Sequence, residues 1–318
     1  MSSLPKFVEF HEEGPREGFQ IEKQIYPLER RVKLIEMLAE SGLKQVQVGS
    51  FVNPRAVPQM ADTEQLFAAI RKRPGVRYTA LWLNQKGFEK ALATPGVDLD
   101  GKILFYTTDV FSIRNNNCSV AENQQRQAEW MKLYAQHNIP VETVYVMTAF
   151  GCNYQGVVPL SAVLDQFKFA LDLCRGDKLP QLYLADTMGW ANPESIKERI
   201  AAVRELAPAA RIGLHLHDTR GLGPANFYAA LEAGVDLFDS SVAGLGGCPF
   251  ASHAAHTAAG NICTEDMVLM CQEMGVATGI DLDKLIAASQ FAEQVIGRTL
   301  NGKVMHGGNL EKYRKKAA

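Results

Sequence analysis

The chain has 318 residues, 47% hydrophobic and 21% charged, with a formal net charge of -2. It is long enough to bury a large core, and its balanced charge, without any long run of Lys and Arg, argues against nucleic-acid binding. No stretch approaches the roughly 18 apolar residues of a membrane span, and Met1 to Lys6 lacks a basic-then-apolar signal pattern, so a cytoplasmic protein is expected.

Short apolar runs alternate with longer amphipathic segments from end to end, the rhythm of repeated strand and helix units. The first strand is predicted near Phe7 to Phe10 and runs into Gly14-Pro15-Arg16-Glu17-Gly18. A helix over Pro27 to Ser41 follows from Leu28, Val32, Ile35, Leu38 and Ala39 recurring at three- and four-residue steps. Further strands are predicted near Gln45 to Phe51, Arg77 to Leu83, Lys102 to Thr107, Val141 to Thr148, Leu182 to Asp186, Arg211 to His217 and Leu237 to Val242. Helices between them fall near Asp62 to Arg73, Gln85 to Ala93, Ala121 to His137, Pro159 to Arg175, Pro193 to Leu206 and Gly223 to Ala233, with two more after the last strand. Eight strands with helical crossovers predict an α/β fold, a (β/α)8 TIM barrel with extra C-terminal helices. An open doubly wound sheet would carry a Gly-rich phosphate turn after its first strand, and this sequence has none there. No linker or low-complexity tract divides the chain, so residues 1–318 read as one domain. The six cysteines (Cys118, Cys152, Cys174, Cys248, Cys263, Cys271) lack CxxC spacing, which predicts reduced thiols rather than disulfides or zinc ligands.

The strongest chemical signal is Leu214-His215-Leu216-His217-Asp218. Residues two apart on a strand project to one face, so both imidazoles point the same way and supply half of a metal site. The alternative is a hydrogen-bonded histidine pair at a barrel mouth. Other polar residues cluster at equivalent strand ends: Arg16 and Glu17 after the first, Gln47 on the second, Asp186 and Thr187 after the sixth and Asn261 beyond the eighth. Barrel active sites assemble at that face. Each residue also has a structural alternative: a surface ion pair for Arg16 with Glu17, an N-cap for Asp186 and a turn for Asn261. Gly244-Leu245-Gly246-Gly247-Cys248-Pro249 has the backbone freedom of a lid, and a thiol on such a lid suits proton transfer as well as it suits a plain turn.

Several segments together resemble the 3-hydroxy-3-methylglutaryl-CoA lyase family. They are Glu13-Gly14-Pro15-Arg16-Glu17-Gly18-Phe19-Gln20, Ser50-Phe51-Val52-Asn53-Pro54, Val57-Pro58-Gln59-Met60-Ala61-Asp62, Asn117-Cys118-Ser119, His215-Leu216-His217-Asp218 and Val242-Ala243-Gly244-Leu245-Gly246-Gly247-Cys248-Pro249. The resemblance runs from about Val8 to beyond Lys303. It implies a divalent cation, Mg2+ or Mn2+, held by Glu17, His215, His217 and Asn261 and acting as a Lewis acid. It further implies that Arg16 stabilises the enolate oxygen of the departing acetyl-CoA, that Cys248 helps protonate that enolate, and that Glu17 or His215 is the base. Substrate contacts are implied at Arg16, Gln20, Gln47, Asp186 and Thr187, as is a homodimer.

The sequence departs from the family's pattern in three places. Glu17 stands where aspartate is usual, Gln47 where a catalytic glutamate is usual, and the stretch from Ala251 to Ala259 is longer and carries His253 and His256. The expected substrate is therefore 3-hydroxy-3-methylglutaryl-CoA or a related 3-hydroxy dicarboxylic acyl-CoA. Competing expectations are a Claisen-type synthase or aldolase on the same barrel and a non-catalytic acyl-CoA-binding paralogue.

Overall fold

The computed structural model describes residues 4–174, 178–247 and 260–314. Eight strands, β1 (Glu9–Glu12), β2 (Gln45–Ser50), β3 (Arg77–Leu81), β4 (Gly101–Tyr106), β5 (Val141–Met147), β6 (Gln181–Ala185), β7 (Ile212–His215) and β8 (Leu237–Ser240), alternate with helices. The helices are α1 (Leu28–Glu40), α2 (Thr63–Ala69), α3 (Gln85–Ala93), α4 (Asp109–Asn116), α5 (Val120–Gln136), α6 (Leu160–Leu173), α7 (Pro193–Leu206) and α8 (Gly223–Glu232), followed by α9 (Thr264–Glu273), α10 (Leu282–Ile296) and the single turns α11 (Val304–Gly307) and α12 (Glu311–Arg314). Among the described residues no helix is long and apolar enough to cross a membrane.

The chain divides into two compact units. One contains Lys6–Leu99, Asp239–Gly247 and residues 260–314, and its strands run in the order β3-β2-β1, with the second half of β8 beside β1. The ladders are parallel, with His11 opposite Gln45 and Val46 opposite Tyr78. β2 is buried along its whole length. The period of two puts Val46 and Val48 on one face and Gln45 and Gln47 on the other, so this strand brings amide groups to an interior face. Of the predicted stripe of α1, Ile35, Leu38 and Ala39 are buried and Leu28 and Val32 half-buried, and Leu34, outside that spacing, is buried as well. Each of the large side chains contributes about 1.5–3 kcal/mol on burial.

The other unit contains Asp100–Phe238, with strands in the order β4-β5-β6-β7 and the first half of β8 beyond β7. Here too the β4–β5, β5–β6 and β6–β7 ladders are parallel. Local capping sets the helix starts. Ser119 and Glu122 form a reciprocal capping box on α5, and Asn192 with Pro193 opens α7.

Three local differences from the sequence reading stand out. The first strand lies at Glu9–Glu12 rather than near Phe7 to Phe10, because Phe7 instead bridges to Ala277. A separate helix, α4, precedes α5; Thr108 caps it and Asn117, in the left-handed region, ends it. A short antiparallel hairpin, Gly151–Cys152 with Gly156–Val157, follows β5. Its two-residue strands are too short for an alternation to register.

Candidate active site

Immediately after β1 the chain makes a π-helical turn over Gly14–Gly18 that carries Arg16 and Glu17. Glycine is required at its first position. A Cβ on Gly14 would lie 2.6 Å from Glu12 Oε1 and 2.8 Å from Val242 Cγ1. The turn is therefore pressed against the Val242–Gly244 segment.

Arg16 is held on three sides. Its Nη2 pairs with Glu13 Oε2 at 2.5 Å and with Glu17 Oε2 at 3.1 Å, and its Nε donates to Gln47 Oε1. It is thus no surface pair but a largely buried, oriented cation. Glu17 Oε1 accepts from Asn261 Nδ2 at 3.1 Å and from the Gly247 backbone N–H at 3.2 Å. Asn261 Nδ2 also donates to the Leu245 carbonyl, whereas Asn261 Oδ1 is buried without a hydrogen-bond partner. A turn asparagine would not leave its better acceptor stranded at a cost of about 1–3 kcal/mol, so this oxygen suits a cationic ligand. Gln20 Oε1 accepts from Ser50 Oγ at 3.1 Å.

Two buried carboxyls brace the same region. Glu12 Oε1 accepts from the backbone N–H groups of Gly14 and Val242, and its Oε2 accepts from Thr264 Oγ1. Burial pushes Glu12 up to about 7 against the lowering effect of these hydrogen bonds. Glu265 Oε2 accepts from Ala243 N at 3.0 Å, and burial, reinforced by Asp266, pushes it up to about 8. The sequence reading assigned nothing to Glu12 and Glu265. It also gave no role to Glu13, although its position three residues before Arg16 was the available signal.

In the other unit, β7 ends at His215, and His217 lies beyond it rather than within the strand. The imidazoles still converge: the two Nε2 atoms are 3.2 Å apart, with the rings steeply inclined at 80°. His217 Nδ1 lies 2.7 Å from the Thr187 carbonyl oxygen, which can only accept, so Nδ1 carries the proton and Nε2 presents a lone pair. Two ligands at right angles on a divalent ion with ~2.1 Å bonds stand about 3.0 Å apart, so the spacing of this pair fits adjacent coordination positions.

Asp186 Oδ1 accepts from the Trp190 and Ala191 backbone N–H groups, the turn-capping role open to it from sequence. Its Oδ2 is buried without a hydrogen-bond partner and remains available to a ligand. Burial raises Asp186 to about 6, opposed by its hydrogen bonds from the Trp190 and Ala191 backbone and by the electrostatic influence of His217 and Arg220. Thr187 Oγ1 accepts from the Thr148 backbone N–H at 2.8 Å. Cys248, His253 and His256 lie outside the described residues.

Residues 7–292 match the HMGL-like family model. The chain is 40% identical over 305 residues to the mitochondrial hydroxymethylglutaryl-CoA lyase of Rattus norvegicus, covering 96% of this chain and 90% of the relative. The crystal structure of hydroxymethylglutaryl-CoA lyase from Pseudomonas aeruginosa superposes with a TM-score of 0.87 at 36% identity, covering 100% of both chains. An HMG-CoA lyase from Acinetobacter baumannii, in complex with coenzyme A and 3-methylmalate, gives a TM-score of 0.86 at 32% identity over 97% of each chain. With its TIM-barrel fold, this chain belongs to the HMGL-like family.

Proposed function

We propose that this protein is a metal-dependent carbon–carbon lyase. It cleaves 3-hydroxy-3-methylglutaryl-CoA or a related 3-hydroxy dicarboxylic acyl-CoA to acetyl-CoA, or a homologue, and a keto acid. Membership of the HMGL-like family and the likeness to lyases over nearly the whole chain support the reaction class. The coenzyme A in the Acinetobacter baumannii complex supports an acyl-CoA substrate.

In this reading Glu17, His215, His217 and Asn261 hold one divalent cation, Mg2+ or Mn2+. The donor set of carboxylate, imidazole and amide oxygen suits such an ion. When bound, the cation polarises the substrate's oxygens and makes its hydroxyl a stronger acid. The observation that carries the assignment is the His215–His217 pair, spaced for adjacent coordination and with the His217 proton committed to Thr187.

Glu17 or His215 takes the proton from the C3 hydroxyl. As that oxygen becomes the new carbonyl, the C2–C3 bond breaks and its electron pair passes to C2, giving a thioester enolate. Arg16 is fixed by three acceptors and places a positive charge where the enolate oxygen develops. Cys248 then helps return a proton to C2. Gln20, Gln47, Asp186 and Thr187 bind and orient the substrate.

We further propose that the chain acts as one catalytic domain within a homodimer, in the cytoplasm. The buried thiols of Cys118, Cys152, Cys174 and Cys271, outside any disulfide, support a reducing compartment. The activity test is release of free acyl-CoA from a panel of 3-hydroxy dicarboxylic thioesters. Turnover should vanish with chelator and return with Mg2+ or Mn2+. A folded, metal-saturated protein that turns over no member of the panel would end this reading.

A further inference from the structure

The ends of four consecutive strands are joined by side chains. Thr107, just after β4, places Oγ1 2.8 Å from Thr148 Oγ1 and 3.0 Å from the Thr148 carbonyl oxygen. Thr148, just after β5, donates its backbone N–H to Thr187 Oγ1 at 2.8 Å. Thr187, two residues beyond β6, offers its carbonyl oxygen to His217 Nδ1 at 2.7 Å. The centre of this chain is strained. Thr148 is fully buried with φ at 54°, a left-handed conformation rare for a β-branched residue.

The strain has a local cause. The β5–β6 ladder is regular to Val146 opposite Leu184, and the next hydrogen bond between these segments runs from Ala149 N to the Ala185 carbonyl. Between those points the backbone steps out of the ladder at Thr148. Its Oγ1 turns back to the Met147 carbonyl at 2.6 Å, a bond that helps hold the turned-out conformation. The result is a backbone N–H aimed at the Thr187 hydroxyl instead of along the sheet. Strained backbone beside a functional group, over-determined by its neighbours, is the form that site pre-organisation takes.

We infer that Thr148 is a positioning residue. Its left-handed backbone clamps Thr187 through the Thr187 hydroxyl, so that the Thr187 carbonyl fixes the orientation and tautomer of His217. The inference deepens the proposed metal site and rests on His217 being one of its ligands. An imidazole whose other nitrogen is anchored presents its free lone pair in one direction, and such anchoring partners alter metal affinity by about 10–100-fold when removed. Thr107 supports Thr148 from the far side and belongs to the same chain of contacts.

The test uses the full chain with 15N-labelled histidine. In metal-free protein at pH 8, long-range 15N–1H correlation should report His217 as the pure Nδ1–H form in wild type and in Thr148→Ser, which keeps the hydroxyl. Thr148→Ala should give a mixture of tautomers and a Mn2+ dissociation constant raised about tenfold, read by the electron paramagnetic resonance of free Mn2+. If Thr148→Ala does not fold, Thr107→Val removes the supporting hydroxyl and should move both readouts in the same direction. A folded Thr148→Ala, or in its place a folded Thr107→Val, that keeps a single Nδ1–H tautomer and wild-type Mn2+ affinity overturns the inference. Failure of the wild type to bind Mn2+ would instead remove the metal reading, and the tautomer comparison would still decide the role of Thr148.

Discussion

Asn261 gives its amide nitrogen to Glu17 Oε1 at 3.1 Å and keeps its own Oδ1 buried with no hydrogen-bond partner. If that oxygen is a cation ligand, Asn261→Ala should weaken Mn2+ binding at least tenfold, on the order seen when groups around a metal are removed. Calorimetric titration of metal-free protein checks this. An unchanged dissociation constant would return Asn261 to a purely structural role.

Arg16→Lys keeps the charge but cannot reach Glu13, Glu17 and Gln47 together, because a single ammonium replaces a planar fork. The enolate oxygen would lose a fixed donor, so kcat should fall by about 100–1000-fold with a smaller change in KM. Steady-state kinetics at saturating metal measures the split. A change confined to KM would place Arg16 in ground-state binding.

Gly246 has φ at 89°, and a Cβ there would lie 2.9 Å from Asn261 Nδ2 and 3.0 Å from Glu17 Cγ. Gly246→Ala should push both groups away, costing about 1–3 kcal/mol in backbone strain and most of the activity. Thermal unfolding followed by activity assay separates the two effects. Full activity in the variant would mean that Glu17 and Asn261 need not keep their present contact.

Glu265 sets a pH dependence of stability. Burial raises its folded pKa to about 8 from the ordinary 4.5, so between these values the folded chain holds a proton that the unfolded chain has lost. Its stabilising contribution is complete below about pH 4.5 and is lost as pH rises through about 8. Within that window this group alone gives a downward slope of about 1.4 kcal/mol per pH unit. Glu265→Gln should retain the bond from Ala243 N and flatten the slope, leaving the variant relatively more stable at pH 8 than at pH 5. Denaturant titrations across this range test it, and parallel curves for the two proteins would contradict the assignment.

Much of the fold could be read from the sequence because it is written in periods. Leu28, Val32, Ile35, Leu38 and Ala39 repeat at helical steps, and Val46 and Val48 alternate with Gln45 and Gln47, so α1 and β2 were recognisable without tertiary information. Helix α4 was missed because its amphipathic pattern is weak and its ends depend on Thr108 and Asn117, residues equally at home in a loop. The candidate site residues stood out in the sequence as polar side chains at strand ends, where Glu17 now meets Asn261 and His215 meets His217. What sequence could not give was the supporting layer. Glu12 and Glu265 grip backbone N–H groups remote in the chain, and the left-handed turn at Thr148 has no signature in a β-branched residue.

A Cβ built on Gly260 would lie 1.6 Å from the Gly244 carbonyl oxygen. Two backbones therefore touch there without side chains between them. Leu245 and Gly247, just past the first of these glycines, bond to Asn261 and Glu17, and Asn261 directly follows the second. A side chain at Gly260 would wedge the two backbones apart beside those bonds, so the smallest residue in the chain sets how closely Asn261 and Glu17 can be drawn together.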